Sequence, residues 1–195
     1  MKRQHFTLIE LLVVIGLIAI LAGILIPAVN GALKKADETK AKAQITTLLN
    51  AIKQFEATYG YLPVPSSYST DGTPLTATQY DELIAMLQGN PNNITFTSWS
   101  RNPNTRNQQF LDVVGNTPGE YLDPWGARFT IAFDSGNDGR ISGITIDGIG
   151  NITTLYQPVA IWSLGANTSS SNEKDNVYSF PVEWDKTNNN YKLGK

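Results

Sequence analysis

Residues 6–29 read FTLIELLVVIGLIAILAGILIPAV, and Glu10 is the single ionisable side chain in that stretch. As a helix, 24 residues at about 1.5 Å each reach roughly 36 Å, enough to cross a hydrocarbon core of about 30 Å. Lys2 and Arg3 precede the stretch. A secretory signal peptide is the competing reading, but the apolar run is too long for one and no A-x-A-like site follows it. Beyond Val29 the chain continues NGALKKADETKAKAQITTLLNAIKQFEATYG, with Leu33, Ile45, Leu48, Leu49, Ile52, Phe55 and Tyr59 at helical spacings. Ala and Lys fill the intervening positions, and both favour helix. The pattern predicts one helix running to about Tyr59, with 6–29 in a membrane and 30–59 laying an apolar stripe on a globular domain of residues 60–195.

The composition removes whole classes of function. The chain has 195 residues, no Cys, one His and a formal net charge of -2. Without Cys there are no disulfides, thiolate metal sites or thiol nucleophiles. A single His excludes multi-His metal centres, and a slightly acidic balance argues against a nucleic-acid partner. No carboxylate pair sits in a hydrolase signature, so the chain does not read as an enzyme.

After Gly60 the sequence turns to Pro, Ser, Thr, Asn and Gly, the mark of turn-rich connections. Residues 78–88, TQYDELIAMLQ, predict a short helix with Tyr80, Leu83, Ile84 and Leu87 on one face and Gly89 ending it. Residues 89–120 read as an irregular segment anchored by Phe96, Trp99, Phe110, Leu111 and Val113. Phe129, Ile131 and Phe133 alternate as a half-buried strand would. Asn137-Asp138-Gly139 supplies turn chemistry for a hairpin into residues 141–146. Residues 158–164 form a further strand, 177–182 a fourth or an ordered closing segment, and the tail after Asp185 reads as frayed. A long helix on a small antiparallel sheet is an α+β architecture.

Two residues of the apolar stretch call for explanation. An acidic side chain at mid-bilayer costs about 2.5–3.5 kcal/mol, less near the end where Glu10 stands. Pro27 removes a backbone donor and is expected to kink or open the helix. Ala19 and Gly23 form a small-xxx-small spacing, with Gly16 one heptad before Gly23, which permits close helix approach.

The string Phe6-Thr7-Leu8-Ile9-Glu10-Leu11-Leu12-Val13-Val14-Ile15 after a short basic leader resembles the amino-terminal signature of type IV pilins and type II secretion pseudopilins. The resemblance implies that residues 1–5 are a leader, removed between His5 and Phe6 by a prepilin peptidase, with the new Phe6 amine then methylated. It implies a homo-oligomeric helical fibre in which the Glu10 carboxylate pairs with the Phe6 amine of a neighbouring subunit, setting the axial register. It gives Pro27 the place of a helix-opening proline. One departure stands out, because the family's peptidase normally takes Gly or Ala where this chain has His5. Either the cognate peptidase accepts His, the leader is retained, or this position has been altered.

Asp123-Pro124-Trp125-Gly126 resembles a segment of the major type II secretion pseudopilin, as do Trp162-Ser163-Leu164-Gly165-Ala166-Asn167 and Asp175-Asn176-Val177-Tyr178-Ser179. In that group the closing loop binds calcium. The matching positions are the Leu164 carbonyl, Asn167 and Asp175, with Asn176 less certain. Amides stand where carboxylates are expected, so affinity should fall or the site be lost. Residues 134–139, DSGNDG, match the start of an EF-hand loop only in part, since the third position is Gly136 and the twelfth Thr145; a hairpin turn is the better reading.

The resemblance thus implies a structural subunit of a type II secretion pseudopilus, held in the inner membrane by one span with its domain in the periplasm. Its partners would be copies of itself, minor pseudopilins, the inner-membrane assembly platform and the prepilin peptidase. Basic residues alone favour the opposite orientation, because Lys34, Lys35, Lys40 and Lys42 outnumber Lys2 and Arg3. A type IV pilin of a surface fibre and a membrane-tethered binding module presenting Tyr59, Tyr61, Trp99, Trp125 and Trp162 are the alternatives.

Overall fold

The computed structural model describes residues 8–100, 103–113, 119–167, 175–185, 187 and 190–194. His5 and Phe6, the expected cleavage pair, lie outside the described residues. The chain forms two compact units, Met1–Asp37 and Glu38–Lys195.

Helix α1 runs Leu8–Tyr59 and continues through Pro27. In the first unit its apolar side chains are exposed, and none of the most apolar eighteen-residue window is buried. Leu33, expected on the stripe against the domain, is 57% exposed and belongs to this unit. In the second unit Ala41, Ile45, Leu48, Ala51, Ile52 and Phe55 are buried at i, i+3, i+4 and i+7 spacings, as one helical face requires. Gly60 ends the helix at φ +79°, its N–H bonding to the Glu56 carbonyl at 2.7 Å, a conformation glycine adopts without Cβ strain.

Helix α2, Ala77–Leu87, starts from a reciprocal capping box: the Gln79 N–H donates to Thr76 Oγ1 and the Thr76 N–H to Gln79 Oε1. Tyr80, Leu83, Ile84 and Leu87 are buried as the periodicity predicts. Of the anchors expected in the irregular segment, Trp99 and Leu111 are buried, and Phe96 and Phe110 pack on the core in part.

Among the described residues seven short strands follow: β1 Thr130–Phe133, β2 Ile141–Ile146, β3 Gly150–Leu155, β4 Val159–Ser163, β5 Val177–Tyr178, β6 Val182–Asp185 and β7 Asn190–Leu193. They make an antiparallel sheet β1-β4-β5 and two hairpins, β2-β3 and β6-β7. In the register Ile131 faces Ile161 and Phe133 faces Val159, and these side chains share one core with α1 and α2. Ala132 faces Ala160, and with Trp162 they share the second core with Ile141, Ile144, Ile146, Ile152 and Leu155 of β2-β3. The small sheet is therefore a middle layer, covered by helices on one side and a hairpin on the other.

That layering corrects three expectations. β1 is buried on both faces, not one, since Ala132 is as inaccessible as Ile131. The turn at 137–139 forms, with Asn137 at φ +54° and Gly139 at +82°, yet β1 pairs with β4 and β2 with β3, so no β1-β2 hairpin exists. The two alanines leave a shallow face against which the hairpin isoleucines pack. The tail after Asp185 is not frayed throughout: β7 pairs with β6, and Leu193 and Val182 pack against the second core.

Candidate functional site

Glu10 and Pro27, expected to serve assembly, stand on α1. Glu10 is exposed near the amino-terminal end of the described part of the helix, among exposed Ile9, Val13 and Val14. Phe6, its expected counter-charge, is outside the described residues, as is His5.

The closing loop is built on the end of β4. Ser163 Oγ donates to Asp123 Oδ2 at 2.6 Å and accepts the Gly165 N–H at 3.1 Å. Asp123 Oδ1 accepts the N–H groups of Trp125 and Ala127, at 3.1 and 2.8 Å, so it folds its own Asp-Pro-Trp-Gly turn with one oxygen and holds the loop with the other. Both Asp123 and Ser163 are buried, which strengthens these bonds against competition from water. The two stretches singled out in the sequence are thus one hydrogen-bonded assembly.

Gly165 begins a single 3-10 turn, Gly165–Asn167, at φ +73°. A Cβ there would lie 2.6 Å from Asp175 Cγ and 2.7 Å from the Asp175 carbonyl oxygen, so only glycine lets the two ends of the loop meet. Asp175 Oδ2 accepts the Ala166 N–H at 2.9 Å. Asn176 lies instead against the β2-β3 turn: its Nδ2 donates to the Tyr178 hydroxyl at 3.2 Å, which donates to the Asp147 carbonyl at 2.8 Å. Trp162 Nε1 donates to Asp147 Oδ2 at 3.1 Å.

Of the four expected calcium positions, the structure brings Asp175 beside the Gly165-Ala166 turn that follows Leu164, while Asn176 faces Gly148. Asn167 closes the 3-10 turn, its side chain lying outside the described part of the chain. Asp175 Oδ1 and Asn176 Oδ1 are buried without a hydrogen-bond partner among the described residues. Among the described residues no three His, Cys, Asp or Glu side chains converge on a metal position. Sequence reasoning missed Ser163 and the clasp at Gly165. The available signal was the Asp-Pro pair, which marks an Asx-type turn, and glycine directly after a strand.

The aromatic residues make no open platform. Trp99 and Trp162 are buried, Tyr59 and Trp125 are partly buried against the core, and Tyr61 is half exposed in a ring cluster with Phe55 and Tyr59.

No family model matches the chain, and no solved structure matches it significantly. Curated relatives do. The chain is 36% identical over 118 residues to the type IV wide pilus major component of Thermus thermophilus, covering 60% of this chain and 77% of that protein. It is 26% identical over 145 residues to the type II secretion system core protein G of Vibrio cholerae, covering 74% and 80%. It is 37% identical over 62 residues to the core protein G of Escherichia coli, covering 32% and 43%. With an exposed apolar amino-terminal helix, an α+β domain and these relatives, the chain belongs to the type IV pilin-like superfamily.

Proposed function

We propose that this chain is a structural subunit of a type II secretion pseudopilus that polymerises through α1. The observation that supports it is the long apolar face of the first unit, exposed while the second unit has two filled cores of its own. Such a face is stable only in lipid or against copies of itself. In lipid Glu10 stays near the interface; in a fibre its carboxylate pairs with the Phe6 amine of the next subunit, which offsets the desolvation of both charges and sets register. Storage is in the inner membrane with the domain in the periplasm, and a prepilin peptidase, minor pseudopilins and an assembly platform are the working partners. Negative-stain microscopy of overexpressing cells tests this: thin fibres from wild type and none from Glu10→Ala, at equal membrane insertion, are expected. Normal fibres from Glu10→Ala overturn the register role. The pilin reading draws on the Thermus relative, and loss of secretion without loss of surface fibres on deletion separates the two.

The same reading gives the closing loop a calcium ion. Two buried oxygens with no donor among the described residues, Asp175 Oδ1 and Asn176 Oδ1, fit a hard cation that needs oxygen ligands. Asp175 would hold it together with the Leu164 carbonyl and Asn167, Asn176 joining by turning from Gly148, and the ion would tie the two ends of the loop. A calcium-dependent rise in thermal midpoint, lost in Asp175→Asn, is the expected result.

A further inference from the structure

The loop between β1 and β2 has no hairpin to close, yet it keeps a costly arrangement. Asp134 is 2% exposed. Its Oδ2 accepts the Gly139 N–H at 2.7 Å, across the loop. Its Oδ1 is buried with no hydrogen-bond partner among the described residues, and stands 3.5 Å from where a Cβ on Gly136 would be. The carboxylate is therefore directed into the loop, over a residue that has no side chain to obstruct it. A buried carboxylate oxygen without a donor is unfavourable unless a cation completes it.

The rest of the loop is held from outside. Asp71 Oδ1 accepts both the Ser135 N–H and the Ser135 hydroxyl at 2.6 Å, and Oδ2 accepts the Ser142 N–H at 3.3 Å. Desolvation pushes the Asp71 carboxyl up, but these bonds and one from Gly136 outweigh it, so the group stays ionised below the usual range. Asp71 thus braces the loop at both ends while Asp134 remains available within it. Asp138 pairs with Arg140 at 2.7 Å, but both side chains are about half exposed, so water and a competing cation displace that pair at little cost.

We propose that residues 134–139 form a calcium site centred on Asp134 Oδ1, distinct from the closing loop. Asp134 and Asp138 occupy the first and fifth positions of a calcium loop and Gly139 the sixth, where the chain must turn. Two carboxylates balance the charge of one divalent ion, and backbone carbonyls and water complete the oxygen shell. With two acidic ligands and no carboxylate at the twelfth position, affinity falls in the range of extracellular modules, about 0.1–1 mM. Magnesium, which demands near-octahedral ligands and gives up water reluctantly, is disfavoured by an irregular loop.

Isothermal titration of the full chain in detergent micelles with calcium chloride, and separately with magnesium chloride, tests the site. Asp175→Asn is expected to retain a calcium isotherm, while Asp134→Asn weakens the corresponding event about tenfold or more through loss of a charged ligand. Gly136→Ala is the second variant, since its methyl meets Oδ1 at ordinary contact distance without straining the fold, yet crowds the approach to that oxygen. It decides the matter if Asp134→Asn does not fold. Wild-type chain that binds no calcium, calcium binding lost only in Asp175→Asn, or folded Asp134→Asn or Gly136→Ala that binds as wild type overturns the proposal. Equal affinity for magnesium overturns the assignment to calcium.

Discussion

Gly165→Ala probes the clasp between the two ends of the closing loop. Left-handed backbone at φ +73° costs an alanine about 1–2 kcal/mol. The new Cβ would also lie 2.6 Å from Asp175 Cγ, 2.7 Å from its carbonyl oxygen and 2.8 Å from Oδ2. One of these atoms is backbone, so a rotamer change cannot relieve the contact and the segment at Asp175 must move. That movement breaks the bond from the Ala166 N–H to Asp175 Oδ2. A charge-assisted bond of this kind is worth about 1.5–3 kcal/mol when buried, and about 1 kcal/mol here because Ala166 is exposed. The expected total is about 3 kcal/mol. Gly60→Ala is the control, since Gly60 has φ +79° but nothing within 4 Å of an added methyl, so it carries the backbone strain of about 1–2 kcal/mol alone. Urea unfolding of the full chain in micelles, followed by tryptophan fluorescence, measures both. Equal losses for Gly165→Ala and Gly60→Ala would refute the clasp.

Glu82 is buried on α2 and accepts the Thr97 N–H and hydroxyl and the Ser98 N–H; Glu82→Ala is expected to cost about 2 kcal/mol in the same assay, because Thr97 is exposed and water replaces part of what is lost. Desolvation alone would raise its carboxyl, but these bonds outweigh that and hold it below the ordinary value. Its contribution is therefore complete above the unfolded pKa of about 4.3 and lost as pH falls through the lower folded value, so Glu82→Gln should flatten the acid limb of stability against pH. Ser163→Ala leaves the Gly165 N–H and Asp123 Oδ2 without their shared partner, and a loss of about 1–3 kcal/mol is expected from denaturant midpoints. Ile52→Ala, at a fully buried site on α1, should lose about 2–5 kcal/mol, whereas Ile18→Ala, at an exposed one, should leave unfolding within about 0.5 kcal/mol and show its effect only in fibre yield by microscopy.

The elements that sequence displayed clearly are those whose physics is local. The apolar run around Glu10, the buried stripe from Ile45 to Phe55 and the face of α2 each follow from a periodicity within one segment. β3 is not legible because residues 150–155, GNITTL, open on Gly and Asn and bury Ile152 and Leu155 three apart instead of alternating, so that pairing with β2 makes them a strand. The Asn137-Asp138-Gly139 turn was legible, but the partner of the following strand was not, since a turn fixes where the chain reverses and leaves open which edge it meets.

Pattern in the chain alone therefore settled the long helix, its apolar amino-terminal half and the α+β class, because apolar length and helical period need no distant partner. Tertiary structure decided the rest. It put Ala132 and Ala160 back to back with Ile131 and Ile161, making the sheet a middle layer instead of a half-exposed one. It joined Asp123 to Gly165 through Ser163, a link between residues some forty positions apart that no spacing rule predicts. It also left Asp134 buried with one oxygen unpartnered among the described residues, because whether a carboxylate is satisfied depends on which donors the fold carries to it.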